Sequence, residues 1–360
     1  MKIPFFTLSR QNKNIGKNIK KLISDVIDSG IYSDGPKIKE FELKWSEINK
    51  VKHTIFTSSG TSALEIAIKC LNSKEKFIVP TNTFFASASQ VPAKNGIEFI
   101  DSDQSGNMDI SKISNLQTQP IIGVNLYGQP LNIDALFSKR NKKYIILDLC
   151  QSHFSTYKGK SCASYVNIST FSFYTTKVIS GAGESGCICT DNDNFADYAK
   201  SLRNHGRVID GYNHKYISGN LRGDEIQAAI LLEKLNQKDE IVMSRLESVR
   251  QYRHNFIGNK FIRLLPDIRN AMTVNYVMPI YVNNREKIID KLSKQSISTM
   301  IHYPVPLHLQ PAFTKFYNKN CKNAESQCLT ELSLPLFYGI TPTEIDYVSE
   351  QVIKAVNENL

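Results

Sequence analysis

The chain predicts an α/β fold: a mainly parallel central sheet with helices on both faces, plus a small α+β domain at the C-terminus. Three observations carry that expectation. From residue 51 short apolar runs alternate with amphipathic stretches, the rhythm of strand–helix–strand crossovers. The first 50 residues lack that rhythm and read as helices. Past residue 257 the pattern changes again, to short strands, two helices and a loop rich in proline and histidine. The expected division is therefore 1–50, an N-terminal arm with helices; 51–256, the large domain; and 257–360, the small C-terminal domain. A length of 360 residues suits two domains.

Each element follows from its own stretch. Ile19, Leu22, Ile23, Val26 and Ile27 recur at helical spacing and stop at Gly30. The turn Y-S-D-G-P at 32–36 leads into a helix over 37–48, with Phe41, Leu43 and Trp45. Strands are then predicted at 54–57, 77–79, 97–100, 121–125 and 144–149, and helices at 61–71, 85–94 and 133–140. The aromatic run at 170–174 and G-C-I-C-T at 186–190 complete the sheet, and a helix over 194–203 follows. A polar, Gly-rich segment spans 204–223, and one long helical region covers 224–256. In the small domain, strands are expected at 276–282 and 297–301 and helices at 287–294 and 344–356.

Composition narrows the class. Apolar residues make up 41% and charged residues 22%, as in ordinary globular proteins. No window of about 18 apolar residues occurs, so no membrane span is expected, and the N-terminus lacks a signal-peptide core. Seven cysteines lie scattered without a C-x-x-C, which reads as reduced thiols in a cytoplasmic protein. The net charge of +10 could attract nucleic acid. Its densest clusters (Lys17, Lys20 and Lys21; Lys139, Arg140, Lys142 and Lys143) are short and carry no nucleic-acid motif, so no nucleic-acid partner is expected.

Four stretches carry chemistry. In T-F-S-F-Y-T-T-K-V-I-S-G-A-G-E-S-G (170–186) a strand breaks into a glycine loop around Lys177. Partial burial there would lower the amine's pKa and suit it to a Schiff base with an aldehyde; a solvated loop lysine is the open alternative. In S-S-G-T-S-A-L (58–64) a helix start offers free N–H groups and hydroxyls to an anion such as phosphate; taken alone, the stretch reads first as an ordinary Ser/Thr cap. In L-D-L-C-Q-S-H (147–153) Asp148 ends an apolar strand, where α/β enzymes place functional groups. It could pair with a protonated ring nitrogen or make a structural ion pair, and His153 could be a core histidine. In P-T-N-T-F-F-A-S (80–87), Phe84 or Phe85 could stack on a flat ring or join the core. A phosphate cup, an aromatic, an aspartate and a lysine together match the needs of pyridoxal 5′-phosphate.

With G-T-S-A-L-E-I-A, D-L-C-Q-S-H, F-S-F-Y-T-T-K, L-R-N-H-G, R-G-D-E-I-Q-A-A and I-H-Y-P-V-P-L-H-L-Q-P in this order, the chain resembles the DegT/StrS-type sugar aminotransferases. These are fold-type I, aspartate aminotransferase-like pyridoxal phosphate enzymes. The resemblance runs from Y-S-D-G-P to S-L-P-L-F. It implies that Lys177 forms the Schiff base and shuttles the proton, Asp148 pairs with the pyridinium nitrogen, and Gln151 lies near the phenolic oxygen. It implies that Gly60, Thr61 and Ser172 bind the phosphate and Phe84 stacks on the ring. Asn220 would reach the phosphate of a neighbouring subunit, which implies a homodimer with a shared site. Tyr303 and His308 would face the substrate. Thr175 stands where family members often carry proline, and Gly183-Glu184-Ser185-Gly186 replaces a Gly-Asp-Gly-Gly-like run. A related dehydratase branch has histidine in place of the lysine; Lys177 therefore implies transamination. The implied substrates are a nucleotide-linked keto-sugar and L-glutamate, and the implied products are amino sugars for surface polysaccharides, such as lipopolysaccharide O-antigen, or for glycoconjugates. A keto-polyol aminotransferase and a non-catalytic regulatory or nucleic-acid-binding protein of the same fold are the alternatives. No metal site is expected.

Overall fold

Gly30 ends the first helix in the left-handed region (φ 66°), returning its N–H to the carbonyl of Ile27. A computed structural model describes residues 1–113, 118–208, 212–317 and 320–358. Helices α1 (Ser9–Ser29) and α2 (Pro36–Asn49) precede the sheet. The large unit then runs β1 (His53–Thr57), α3 (Gly60–Leu71), β2 (Phe77–Pro80), α4 (Ala86–Ser89), β3 (Ile97–Ile100), β4 (Ile121–Val124) and α5 (Ile133–Lys139). It continues with β5 (Ile145–Asp148), β6 (Thr156–Tyr157), β7 (Lys160–Ser161), β8 (Ile168–Ser172), β9 (Gly186–Thr190), α6 (Asp193–Arg203), α7 (Glu225–Leu235) and α8 (Lys238–Asn255). The rest comprises β10 (Arg263–Leu264), β11 (Ala271–Met272), β12 (Met278–Tyr281), α9 (Arg285–Lys294), α10 (Lys322–Thr330), β13 (Glu331–Leu334) and α11 (Pro342–Asn357).

Among the described residues the central sheet has seven strands in the order β1-β9-β8-β5-β4-β2-β3. Strands β8, β5, β4, β2 and β3 pair in parallel, and β9 runs antiparallel between β8 and β1. The strands are apolar throughout because both faces are covered. One face packs Phe41 and Trp45 of α2 with Leu231 of α7; the other packs Leu64 and Ile68 of α3 with Leu202 of α6. A smaller antiparallel sheet, β10-β12-β13, has its own core of Met278, Ile280, Leu332 and Leu334. Ile3, at the N-terminus, is buried in that core, as are Tyr252 and Phe256 from the end of α8. The N-terminal segment thus packs on the C-terminal sheet, while α2 packs on the central one.

Several expectations changed in the fold. The helix expected over 85–94 spans only Ala86–Ser89, because Pro92 has no N–H to continue it. The helix expected over 224–256 is two, separated at Asn236 and Gln237. The strand expected at 297–301 is reduced to isolated bridges, Ile3 with Ile297 and Met300 with Ser333 on the free edge of β13; the ladder stops there because the His302 N–H donates to the Glu331 carboxylate and the Glu331 carbonyl accepts from Arg285 instead. Helix α10 and strand β13 arise where none was expected. Gly211, within the Gly-rich segment 204–223, lies outside the described residues.

Candidate active site

A cavity of about 590 Å³ opens at the carboxyl ends of the parallel strands, lined in part by Gly60, Thr61, Asp148, Ser172 and Lys177. Its floor is the start of α3. Ser59 caps that helix, its hydroxyl accepting the Ser62 N–H at 3.0 Å. The amides of Gly60 and Thr61, ahead of the cap's reach, have no protein acceptor among the described residues. They present the positive end of a 12-residue helix to the cavity. Gly60 is required for this approach: a Cβ there would lie 2.6 Å from the Ser172 Cβ. Gly186 likewise lets β9 pass the Ser59 backbone, where a Cβ would lie within 2.4 Å.

Asp148 ends β5 and is buried, with both carboxylate oxygens engaged. Ser87 Oγ donates to Oδ2 at 2.8 Å and the Cys150 N–H donates to Oδ1 at 3.1 Å. Burial pushes the Cys150 thiol well above its ordinary pKa, and the Asp148 charge adds to that. Gln151 is fixed at both ends: its Oε1 accepts from the Tyr127 N–H at 2.7 Å and its Nε2 donates to Tyr303 Oη at 2.8 Å.

Lys177 sits on a loop tied back to β8. The Lys177 N–H donates to Tyr174 O and the Gly181 N–H to Phe173 O, each at 2.8 Å. Its ammonium lies 4.4 Å from the centre of the Tyr276 ring, a cation–π contact. The Tyr276 hydroxyl in turn shares a 2.8 Å hydrogen bond with Thr176 Oγ1. Beneath the loop His153 is fully buried among Trp45, Phe171 and Phe173, and its Nδ1 accepts the Ile179 N–H at 3.3 Å. Burial, together with the Lys177 charge, pulls its pKa down to about 3. It is a neutral core histidine that props the lysine loop.

Of the residues singled out in the sequence, Gly60, Thr61, Phe84, Asp148, Gln151, Ser172, Lys177 and Tyr303 all line this cavity. Phe84 is 55% exposed, and its ring is 5.9 Å from that of Tyr303. Two residues are not brought there. Asn220 is exposed on the strand-like bridge with Asn204, its Oδ1 accepting from Arg222. His308 is buried away from the cavity, with Nδ1 bonded to Thr81 Oγ1 at 2.6 Å and Nε2 to Glu325 at 3.2 Å. Both its nitrogens are taken, so it offers nothing to a substrate in its own protomer. Sequence reasoning missed Tyr276, Ser87 and His302, which also shape the site. Ser87 lay inside the P-T-N-T-F-F-A-S run, one helical turn beyond Phe84, and His302 inside the I-H-Y-P-V-P-L-H-L-Q-P run, next to Tyr303; Tyr276 had no local signal.

The profile of the DegT/DnrJ/EryC1/StrS aminotransferase family matches residues 13–353. The chain belongs to this family. It is a pyridoxal phosphate-dependent sugar aminotransferase. It is 31% identical over 364 residues to the dTDP-3-amino-3,6-dideoxy-alpha-D-galactopyranose transaminase of Aneurinibacillus thermoaerophilus, with 99% of each chain covered. It is 29% identical to the pleiotropic regulatory protein of Geobacillus stearothermophilus, with 98% of each covered. The fold superposes on a DegT/DnrJ/EryC1/StrS aminotransferase from Brucella abortus with a TM-score of 0.92, at 26% identity over 98% of this chain and 99% of that one. It also superposes on NtdA from Bacillus subtilis with bound cofactor PMP, with a TM-score of 0.88 at 26% identity over 99% of this chain and 85% of that one. The aminotransferase cavity fits such a cofactor: a helix start with free amides suits a phosphate, a buried carboxylate a ring nitrogen, and an amine an aldehyde.

Proposed function

We propose that this aminotransferase moves an amino group from L-glutamate to the ketone of a nucleotide-linked sugar, for surface polysaccharide or glycoconjugate biosynthesis in the cytoplasm. The observation that carries the reading is the convergence of Lys177, Asp148 and the start of α3 on one cavity. The amides of Gly60 and Thr61, with the hydroxyls of Thr61 and Ser172, would hold the cofactor phosphate. Asp148 would keep the ring nitrogen protonated, Phe84 would cover the ring face, and Gln151 would sit beside the phenolic oxygen. Bound pyridoxal phosphate supplies an aldehyde and an electron-accepting ring. Lys177 would hold the cofactor at that aldehyde, and its amine would take and return the proton at the substrate carbon. Tyr303 and His302 line the substrate side. Asn220 lies on the exposed edge from which it would complete a partner's phosphate site in a homodimer. The dTDP-sugar named for the 31% identical relative supports a nucleotide-linked substrate. The cysteines are free, as suits a cytoplasmic enzyme.

The test is the absorbance spectrum of the protein with pyridoxal phosphate, before and after L-glutamate, beside Lys177→Ala. A visible band that glutamate bleaches in the wild type, and that the variant cannot form, is the expected result. No band in the wild type overturns the reading; a band that glutamate leaves unchanged overturns the donor. Thermal-shift protection by nucleoside diphosphates is expected in the same preparation, and its absence would favour a keto-polyol substrate.

A further inference from the structure

Behind the substrate wall of the cavity lies a buried polar chain that the proposed transamination does not use. His302 lines the cavity and is 6% exposed. Its ring packs against Phe5, Tyr276 and Tyr303. Its Nδ1 is 2.9 Å from Ser333 Oγ. Ser333 Oγ in turn is bonded to Glu331 Oε1, and Glu331 Oε2 accepts the His302 backbone N–H at 2.6 Å. Glu331 and Ser333 are fully buried in β13. His302 Nε2 has no protein partner among the described residues.

A hydroxyl between an imidazole and a carboxyl has one proton to give. If Glu331 is ionised, Ser333 donates to it and must accept from His302, so Nδ1 carries the proton and Nε2 is bare. If Glu331 is protonated, it donates to Ser333, Ser333 donates to Nδ1, and Nε2 carries the proton. The geometry therefore admits two self-consistent states, linked by one proton on Glu331. We propose that Glu331, acting through Ser333, sets the tautomer of His302, so that the nitrogen facing the substrate side is a hydrogen-bond donor when Glu331 is protonated and an acceptor when it is ionised. This rests on the aminotransferase reading only for the identity of what Nε2 meets: a hydroxyl or carbonyl oxygen of the sugar. His302 is the specificity-determining residue and Glu331 the positioning residue. In the switch Glu331 releases one proton to solvent, while Nε2 loses one and Nδ1 gains one, so the imidazole stays neutral.

The surroundings agree. Burial pushes the Glu331 carboxyl up to about 8, and burial with the Lys177 charge pulls His302 down to about 4, so it is Glu331 that changes state near neutrality. The other groups facing Glu331 are Arg285, Cys328, Tyr127 and Tyr281, and those facing His302 are Lys177, Tyr276 and Tyr303. Burial holds Tyr127 and Tyr281 above the ordinary tyrosine range and the Cys328 thiol up at about 12, so these stay neutral. The Arg285 guanidinium spends Nη1 on the carbonyls of Cys328 and Glu331 and does not neutralise the carboxylate directly.

The experiment is ¹⁵N NMR of [¹⁵N]histidine-labelled holoenzyme from pH 6 to 10, with the His302 pair identified by its loss in His302→Gln. The expected result is a neutral ring throughout, protonated on Nε2 at pH 6 and on Nδ1 at pH 10, with a midpoint near 8. In Glu331→Gln, which keeps the shape but cannot ionise, the exchange should vanish, and Ser333→Ala should uncouple it while the cofactor band stays unchanged. One tautomer across the whole range, an imidazolium at pH 7, or a switch that persists in Glu331→Gln would each overturn the proposal. Loss of the cofactor band in the wild type would instead count against the aminotransferase reading, so the two failures are distinct.

Discussion

Glu225 is the sharpest place to perturb this fold. It stands in the first turn of α7, 1% exposed, yet its carboxylate serves another helix. Oε1 accepts the N–H groups of Gly35 and Ile38, each at 3.0 Å, and Oε2 accepts that of Lys37 at 2.8 Å. These are the amides that a helix start leaves unpaired, and Gly35 and Pro36 have no side chain to cap them. A hydrogen bond to a charged group contributes about 1.5–3 kcal/mol. Three sharing one carboxylate, with water regained after truncation, give about 3–5 kcal/mol for Glu225→Ala. With about 2.1 cal/mol/K per residue, 360 residues give about 0.8 kcal/mol/K, so Tm should fall by about 4–6 °C. Gly35→Ala tests the same contact from the other side, since its Cβ would lie 2.7 Å from Glu225 Cδ and from Ile31 Cγ2. Its penalty should shrink in the Glu225→Ala background, because one of the two colliding groups is gone. Thermal unfolding followed by circular dichroism reads all four corners of this cycle. A Glu225→Ala shift under 1 °C, or strictly additive penalties, would refute the reasoning.

Three further outcomes are expected. Gly60→Ala must push α3 off Ser172, which at about 1–3 kcal/mol of overpacking should weaken pyridoxal phosphate binding about tenfold or more in an absorbance titration. Trp45 is the sole tryptophan and is fully buried against Phe171 and Phe173 below the lysine loop. Trp45→Ala should cost about 3–5 kcal/mol and blunt the glutamate-induced spectral change. Arg10, hydrogen-bonded to Glu344, holds that carboxyl down at about 2. The stability this contributes is complete above about pH 4.5 and lost as the pH falls toward 2. The Tm gap between wild type and Arg10→Met should therefore be open at pH 6 and close between pH 4.5 and 2.

Much of the architecture was legible because it rests on local pattern. Short apolar runs marked β2, β4 and β5, and Gly30 and Y-S-D-G-P punctuated the N-terminal helices. The cluster of Gly60, Thr61, Asp148, Ser172 and Lys177 could be read because strands running the same way deliver their carboxyl ends to one edge, so residues at or just past the ends of β1, β5 and β8 must meet. Tertiary structure decided the rest. Only side chains from distant segments, the Glu331 carboxylate on the His302 N–H and Arg285 on the Glu331 carbonyl, reduced the 297–301 segment to bridges, and only long-range contacts buried His308 against Thr81 and Glu325. Tyr276 reached Lys177 from 99 residues away by an excursion through the C-terminal half. His302, Ser333 and Glu331 became one chain because the bridge from Met300 to Ser333 lays the loop on β13. A sequence determines which residues can form a strand, a cap or a Schiff base, since those follow from the chain's own period and chemistry. Which buried polar groups share a proton depends on distances between segments far apart in sequence, and only the folded packing fixes those.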